Sequence, residues 1–223
     1  KTKAFKGKIE VSSQPVLPTS TPSIHYNFMA GSGSKILNQA HLNAGTGSIN
    51  TNDTGQGWAS GSDSITGNSA IKFNSGRDTY IDISDMYIAE GKGYVNSGGT
   101  GQGMVTCSVA AWVKVDDVSH TEPQVIFEGG GSSNGFTMYV SESRVWWVAH
   151  EGGGSSNLAT VTSASINSNQ YYHVAGLFDT GTGSLYINGV KNTTVVGNVG
   201  TAITAFTGIM GVGGIAENGR IMH

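Results

Sequence analysis

Segments in which apolar and polar residues alternate recur along this chain, bounded by Gly, Asn and Asp. A period of two predicts half-buried β-strands. With 34 glycines among 223 residues, the chain is also poorly suited to a helical bundle, because glycine destabilises a helix interior. The clearest case is the segment 106–115, whose alternation places on one face Val109, Ala111, Val113 and Val115.

Two tight turns predict antiparallel hairpins. Glu142 and Ser143 separate the strand-like segments 136–140 and 144–149, and Asn188–Gly189 follows another such segment. The pair Asn-Gly favours a type I′ turn, because both central residues need positive φ. We also predict a loop-rich stretch over 31–63. Further strands are predicted over 24–28, 69–73, 80–83, 125–127, 172–178, 184–187 and 207–212.

Charge, hydropathy and cysteine content exclude several functional classes. Charged residues make up only 12% of the chain, the net charge is −3, and the basic residues do not cluster, so no nucleic-acid partner is expected. No apolar run is long enough for membrane insertion as a helix. Cys107 is the single cysteine, so an internal disulfide is impossible, and we expect its side chain to be buried.

One heptapeptide occurs twice, as Glu128–Asn134 and as Glu151–Asn157. The two copies flank the hairpin predicted over 136–149. Because a hairpin returns the chain to the end it left, we expect both copies at the same end of the sheet.

The candidate ligand-binding residues lie in or beside these repeats and on the strand between them. Carboxylate and amide oxygens suit Ca²⁺, and an aromatic face beside polar groups suits a sugar ring. A second interpretation is that the glycines only form tight turns, while one of Trp146 and Trp147 is a core residue and the other packs across strands. Trp112 is expected to be buried, and His173 to be a packing residue. The candidate residues are Glu128, Asn134, Trp146, Trp147, His150, Glu151 and Asn157.

An ordered series of strand motifs runs across residues 24 to 212. Its members are Tyr26–Gly33, Ala70–Asn74, Tyr80–Ile83, Val109–Lys114, Ile126–Glu128, Tyr172–Asp179 and Leu185–Gly189. Together they resemble the laminin-G-like, concanavalin A-like lectin/glucanase superfamily. The resemblance implies an all-β fold, a two-sheet antiparallel jelly-roll sandwich. It leaves the function open, because this fold carries lectins, glycosidases, lyases and structural modules.

The family's closing strand has its best match at the front of this chain. The pattern Phe-x-Gly-x-Ile is found in Phe5–Val11, whereas the chain stops at His223, where that strand is expected to start. We expect residues 1–11 to complete the sandwich, residues 12–23 to form a Pro/Ser/Thr linker, and residues 24–223 to form the domain. The front strand either completes its own sandwich by circular permutation, completes a neighbouring subunit, or ends a preceding tandem domain.

The resemblance also bears on catalysis and on a metal. The glucanase pattern Glu-x-Asp-x-x-Glu is missing from the sequence, so we do not expect an enzyme. Asp78 occupies a position where family members carry a loop acid near a calcium site. Ca²⁺ is therefore a candidate cofactor, with Asp78 as its metal ligand.

The function that these features favour is a non-catalytic lectin-like carbohydrate-binding or adhesion module on an extracellular, cell or virion surface. Its partner is then a glycan or another surface ligand. One alternative is a decoration or fibre protein of a phage or virus particle, self-associating by strand exchange through its N-terminal strand. The other alternative is a polysaccharide-degrading enzyme.

Overall fold

The computed structural model describes residues 25–28, 30–39, 46–51, 57–60, 69–73, 79–83, 105–130, 134–151, 158–196, 200, 202–203 and 210–213. Within these ranges no helix is long and apolar enough to cross a membrane. The proposed closing strand and linker, residues 1–23, lie outside the described residues. Whether that strand pairs within its own domain or with a neighbour stays a prediction.

The regular structure of the described residues consists of β-strands. Their bounds are β1 (Lys35–Ile36), β2 (Gly47–Thr51), β3 (Gly57–Ser60), β4 (Ser69–Lys72), β5 (Thr79–Asp82), β6 (Thr106–Lys114), β7 (Gln124–Gly130), β8 (Gly135–Ser141), β9 (Arg144–His150), β10 (Leu158–Thr162), β11 (Tyr171–Asp179), β12 (Thr182–Ile187), β13 (Val190–Val196) and β14 (Met210–Val212).

These strands form two large antiparallel sheets and one small one. The large sheets have the orders β1-β2-β5-β14-β7-β8-β9-β10 and β13-β12-β11-β6, and β3 pairs with β4 in a two-stranded ribbon. The prediction of an all-β, two-sheet jelly-roll sandwich is confirmed.

The hydrophobic core lies between the two large sheets. Trp147 and Met138 of the eight-stranded sheet are completely buried, as are Phe178 and Leu185 of the four-stranded sheet. The sheets lie close together at Gly176, where a Cβ atom would overlap the ring of Trp147. Close packing at this point therefore depends on a residue without a side chain.

The predicted hairpins are confirmed. Glu142 and Ser143, with φ of 51° and 62°, connect β8 to β9, and Asn188 and Gly189, with φ of 51° and 79°, connect β12 to β13. Positive φ at both central residues is the requirement of a type I′ turn.

Two sequence predictions are wrong. Residues 25–28 are not in a strand; instead the backbone N–H of His25 donates to Oδ1 of Asn38 at 2.9 Å. The stretch 31–63, predicted as loop-rich, contains β1, β2 and β3. Ile49 of β2 lies opposite the fully buried Ile81 of β5, so pairing with a distant strand overrides the weak local propensity of these short segments.

Candidate functional site

The eight-stranded sheet has a second buried face, directed away from the core. Strand pairing places Glu128 opposite Thr137, and Thr137 opposite Val148, whereas their neighbours Met138 and Trp147 belong to the core cluster. Side chains alternate between the faces of a strand. We therefore define the outer face by six residues of β7, β8 and β9 that point away from the core, namely Glu128, Thr137, Tyr139, Trp146, Val148 and His150.

The polar centre of the outer face is the pair Glu128 and Thr137. Their side chains are 3% and 0% exposed. Oε2 of Glu128 and Oγ1 of Thr137 make no hydrogen bond to the part of the chain that the structure describes. Burial raises the pKa of Glu128 to about 8, so the carboxyl is largely protonated at neutral pH. A protonated carboxyl beside a hydroxyl both donates and accepts hydrogen bonds.

The aromatic part of the outer face is formed by Tyr139 and Trp146. These residues are directly opposite on β8 and β9, and their rings lie 5.9 Å apart at an interplanar angle of 5°. The indole N–H of Trp146 donates to the carbonyl oxygen of Ser141 at 3.1 Å, which fixes the ring orientation. Burial, together with the nearby Glu142 carboxylate, raises the pKa of Tyr139. Trp146 remains partly exposed and so presents an oriented aromatic surface.

Trp147 lies on the opposite side of the same strand. It is 0% exposed, its indole N–H donates to the carbonyl oxygen of Leu177 at 3.2 Å, and its ring packs on that of Phe136 at 5.6 Å. The structure thus separates the two tryptophans as the second interpretation describes. Trp147 is a core residue and presents no surface to a ligand.

The two heptapeptide copies meet the sheet at the same end. Gly130 pairs with Gly135, and Gly135 pairs with His150, so the β7–β8 and β9–β10 connections are neighbours. This expectation is confirmed.

The residues within the two copies nevertheless lie in different environments. Glu128 is inside β7 and buried, whereas Glu151 follows β9 and is partly exposed. Asn134 precedes β8 and is partly exposed, and His150, the last residue of β9, is buried. Asn157 lies outside the described residues.

A metal site is not formed by the described residues. Among them, no three His, Cys, Asp or Glu side chains lie together as ligands for an ion. Asp78 lies outside the described residues, so the calcium site stays a prediction.

The prediction that Trp112 is buried is wrong. Its side chain is 56% exposed on the solvent side of the four-stranded sheet, and its ring lies 5.2 Å from that of His173 on β11. The strand alternation already indicates this direction, because Ala111 and Val113 on either side pack against the core. The aromatic character of Trp112 alone is therefore a misleading indicator of its burial. Cys107 also points inward and is partly buried.

Comparison with known proteins identifies the same fold. A family model described as the concanavalin A-like lectin/glucanases superfamily matches residues 89–218, more than half of the chain. The resemblance inferred from the strand motifs is confirmed. Among curated protein sequences, none matches this chain.

Solved structures similar to this chain include two kinds of domain. Domain 4 of AbnA, a GH43 extracellular arabinanase from Geobacillus stearothermophilus solved with arabinotriose, is 20% identical, with a TM-score of 0.57 over 89% of this chain and 85% of that one. The botulinum neurotoxin serotype D binding domain is 15% identical, with a TM-score of 0.54 over 82% of this chain and 41% of that one. The binding domain of Paraclostridial Mosquitocidal Protein 1 is 13% identical, with a TM-score of 0.52 over 83% and 48%. The chain therefore spans most of the arabinanase domain and less than half of each toxin binding domain.

Proposed function

Since the chain belongs to the concanavalin A-like lectin/glucanases superfamily, we propose that it is a non-catalytic carbohydrate-binding module that acts outside the cell. The proposed binding site is the outer face of the eight-stranded sheet. The observation that carries the proposal is the pairing, on adjacent rows of one face, of the Tyr139–Trp146 rings with the buried polar pair Glu128–Thr137.

A sugar requires this combination of groups. Its C–H face is apolar and packs on an aromatic ring, while its hydroxyls need hydrogen-bond partners. Trp146 supplies a partly exposed ring whose orientation is fixed by the hydrogen bond to Ser141. Glu128 and Thr137, which are 3% and 0% exposed, have oxygens without a partner among the described residues and form a buried polar layer beside the Trp146 ring. The partly exposed Trp146 is the part of this face that a ligand contacts directly.

The proposal does not assign a catalytic role to Glu128. Glycosidases use two carboxyl groups that flank the scissile bond. On β7, β8 and β9 the outer face carries one carboxyl group, that of Glu128. Asp82 of β5 lies in the same row of the sheet, separated from Glu128 by Gly211 of β14, or by about 10 Å between backbones. We assign Glu128 a non-catalytic role because its carboxyl is buried, and the assay for released reducing sugars tests the enzyme alternative.

The test is a binding assay on a glycan array together with titration of arabinotriose, the ligand held by the similar arabinanase domain. We expect binding to at least one neutral glycan, and an affinity about tenfold lower for Trp146→Ala, as is usual for loss of a central aromatic contact. Running the array with Ca²⁺ and with EDTA tests the calcium prediction separately.

Val190→Ala is the matched control, because Val190 is a 66% exposed apolar residue on the other sheet. Its affinity should equal that of the wild type. The absence of binding with and without Ca²⁺, or unchanged affinity in Trp146→Ala, would contradict the proposal. Release of reducing sugars from a bound glycan would instead support the enzyme alternative.

A further inference from the structure

The outer face opens to solvent in the direction of the β8–β9 turn. Along β9, the outward side chains of His150 and Val148 are 4% and 3% exposed, Trp146 is partly exposed, and Arg144 beside the turn is exposed. Glu142, within the turn, is exposed as well. A ligand that packs on Trp146 therefore reaches it from the side of the turn, where it meets the polar groups of Glu142 and Arg144.

Arg144 lies next to the indole N–H of Trp146. It is directly opposite Ser141, whose carbonyl oxygen accepts the indole N–H of Trp146 at 3.1 Å. Arg144 and Trp146 also point to the same side of β9, because they are two residues apart, or ~7 Å between Cα atoms. The side chain of Arg144 therefore projects from the sheet beside the ring edge that carries the indole N–H.

Glu142 brings a carboxylate to the same pair of rings. Burial, together with this carboxylate, raises the pKa of Tyr139, so the carboxylate of Glu142 lies close to the phenol group. The ring of Tyr139 in turn stacks on that of Trp146 at 5.9 Å. The Trp146 ring therefore has near it a guanidinium, which only donates hydrogen bonds, and a carboxylate, which only accepts them.

The turn that carries these two groups is held in place by two other connections of the chain. Oγ of Ser141 and the backbone N–H groups of Glu142 and Ser143 donate to carbonyl oxygens of the segment 118–121, at 2.8, 2.8 and 2.6 Å. The carbonyl oxygen of Ser143 accepts from the N–H of Ile166 at 2.8 Å. A site whose backbone is fixed before binding loses little conformational entropy when its ligand binds.

We propose that Arg144 and Glu142 bind the hydroxyl groups of the sugar that packs on Trp146, and that the ligand is a neutral glycan with two free hydroxyls on adjacent carbons of that ring. The guanidinium fork donates to both hydroxyl oxygens, and the carboxylate accepts a hydrogen bond from one of them. This assignment depends on the proposed function of the outer face, because it identifies the ligand class of the same site. Exposed partners for the hydroxyls are required at this position, since Glu128 and Thr137 are buried.

The experiment measures binding of the intact chain to arabinotriose, xylotriose, cellotriose and mannotriose by titration calorimetry. The trisaccharide that binds most tightly is then compared with its per-O-methylated form, in which the rings are kept and the hydroxyl protons are removed. We expect at least one of the four to bind. Its methylated form should bind at least about tenfold more weakly, because Glu142 and other acceptors then lose their donors.

The variants separate hydrogen bonding from charge. Arg144→Gln should lower the affinity for the trisaccharide about tenfold, and Arg144→Lys should recover only part of this loss, because lysine keeps the charge but lacks the planar fork. Glu142→Ala should lower the affinity about threefold and should reduce the effect of methylation, since the carboxylate that accepts from the hydroxyl is then missing. Lys191→Gln removes an exposed cation from the four-stranded sheet and is the matched control, which should bind like the wild type.

Three results would overturn the assignment of Arg144 and Glu142. They are wild-type affinity in Arg144→Gln, an unchanged effect of methylation in Glu142→Ala, and failure of the wild-type chain to bind any of the four trisaccharides. The outer-face proposal survives the first two results if Trp146→Ala still weakens binding, and after the third result the glycan array decides it separately. Circular dichroism verifies that the variants fold, as the exposure of both side chains predicts.

Discussion

The ring of Trp147 lies so close to Gly176 that a Cβ atom at position 176 would overlap it, and would also lie 2.9 Å from Cε of Met138. The first prediction follows from this contact. Gly176→Ala should lower the free energy of unfolding by about 2 kcal/mol or more, because overpacking a dense core forces side chains from their preferred rotamers. Urea unfolding measures the change.

Gly129→Ala is the control for this substitution. A Cβ atom at position 129 would lie 3.2 Å from Cε of Met210, the end of a flexible side chain, and 3.4 Å from the rings of Phe127 and Phe136. Its cost should be less than about 1 kcal/mol, since Met adapts readily. Equal costs for the two variants would contradict the close approach at Gly176.

The second prediction concerns pH and Glu128. Burial raises the pKa of Glu128 to about 8 from an ordinary value of 4.5. Between these values the folded protein holds a proton that the unfolded chain has released, so this group's contribution to stability is complete at low pH and falls as the pH rises through about 8. Glu128→Gln cannot ionise and should gain stability relative to the wild type over this range, by a few kcal/mol at most.

The measurement is urea unfolding of both proteins at intervals between roughly pH 5 and pH 9. The difference in free energy should grow with pH and level off above the folded pKa. A difference that is independent of pH would show that Glu128 ionises normally in the folded protein.

The third prediction concerns the turn between β8 and β9. Ser143 has a φ of 62°, which glycine adopts without steric cost. The interactions of this residue that position the turn are made by its backbone, since its N–H donates to Val118 and its carbonyl oxygen accepts from Ile166. Ser143→Gly should therefore raise the free energy of unfolding by about 0.5–1 kcal/mol.

Ser165→Gly is the comparison for the turn variant. Ser165 is exposed and has no positive φ, so glycine there only adds freedom to the unfolded chain. The two substitutions should have opposite signs in thermal unfolding. Destabilisation by both would count against the turn argument.

The fourth prediction concerns the thiol of Cys107. Burial raises its pKa to about 12, although a hydrogen bond from the Phe178 backbone acts in the other direction. Because the thiolate is the reactive form, the folded protein at about pH 8 should react with a disulfide reagent at least about a hundredfold more slowly than a free thiol. The rate should return to that of a free thiol in denaturant, and fast reaction of the folded protein would refute the prediction.

The sequence predicts those parts of the fold whose signal is local. The alternation in β6 identifies its inward face, and Glu142–Ser143 and Asn188–Gly189 locate two hairpins. The sequence does not predict the strand β2, because β2 pairs with β5, some thirty residues away, and because its own residues have weak strand propensity.

For the candidate site, the sequence identifies candidate residues, and the structure shows whether each side chain points into the core or away from it. The repeat identifies Glu128 as a candidate, but the burial of Glu128 depends on the strands on both sides of β7, which no local sequence pattern encodes. Trp112 is the opposite case. The inward-facing Ala111 and Val113 on either side predict that its side chain points outward, whereas its aromatic character alone suggests burial. Once the position of the β8–β9 turn is known, the register places Tyr139 and Trp146 directly opposite each other.

The placement of the repeated heptapeptide makes the β8–β9 hairpin a self-contained insertion in the sheet. β8 and β10 both run antiparallel to β9, and each is entered from a copy of the same seven residues. A chain lacking residues 128–150 would pass from β7 through one copy directly into β10, with the direction of every remaining strand unchanged. The deletion would remove Met138 and Trp147 from the hydrophobic core, but it would leave the order of the remaining strands unchanged. Duplication or deletion at the repeat therefore changes the number of hairpins in such a sheet, and the remaining strands keep their order and direction.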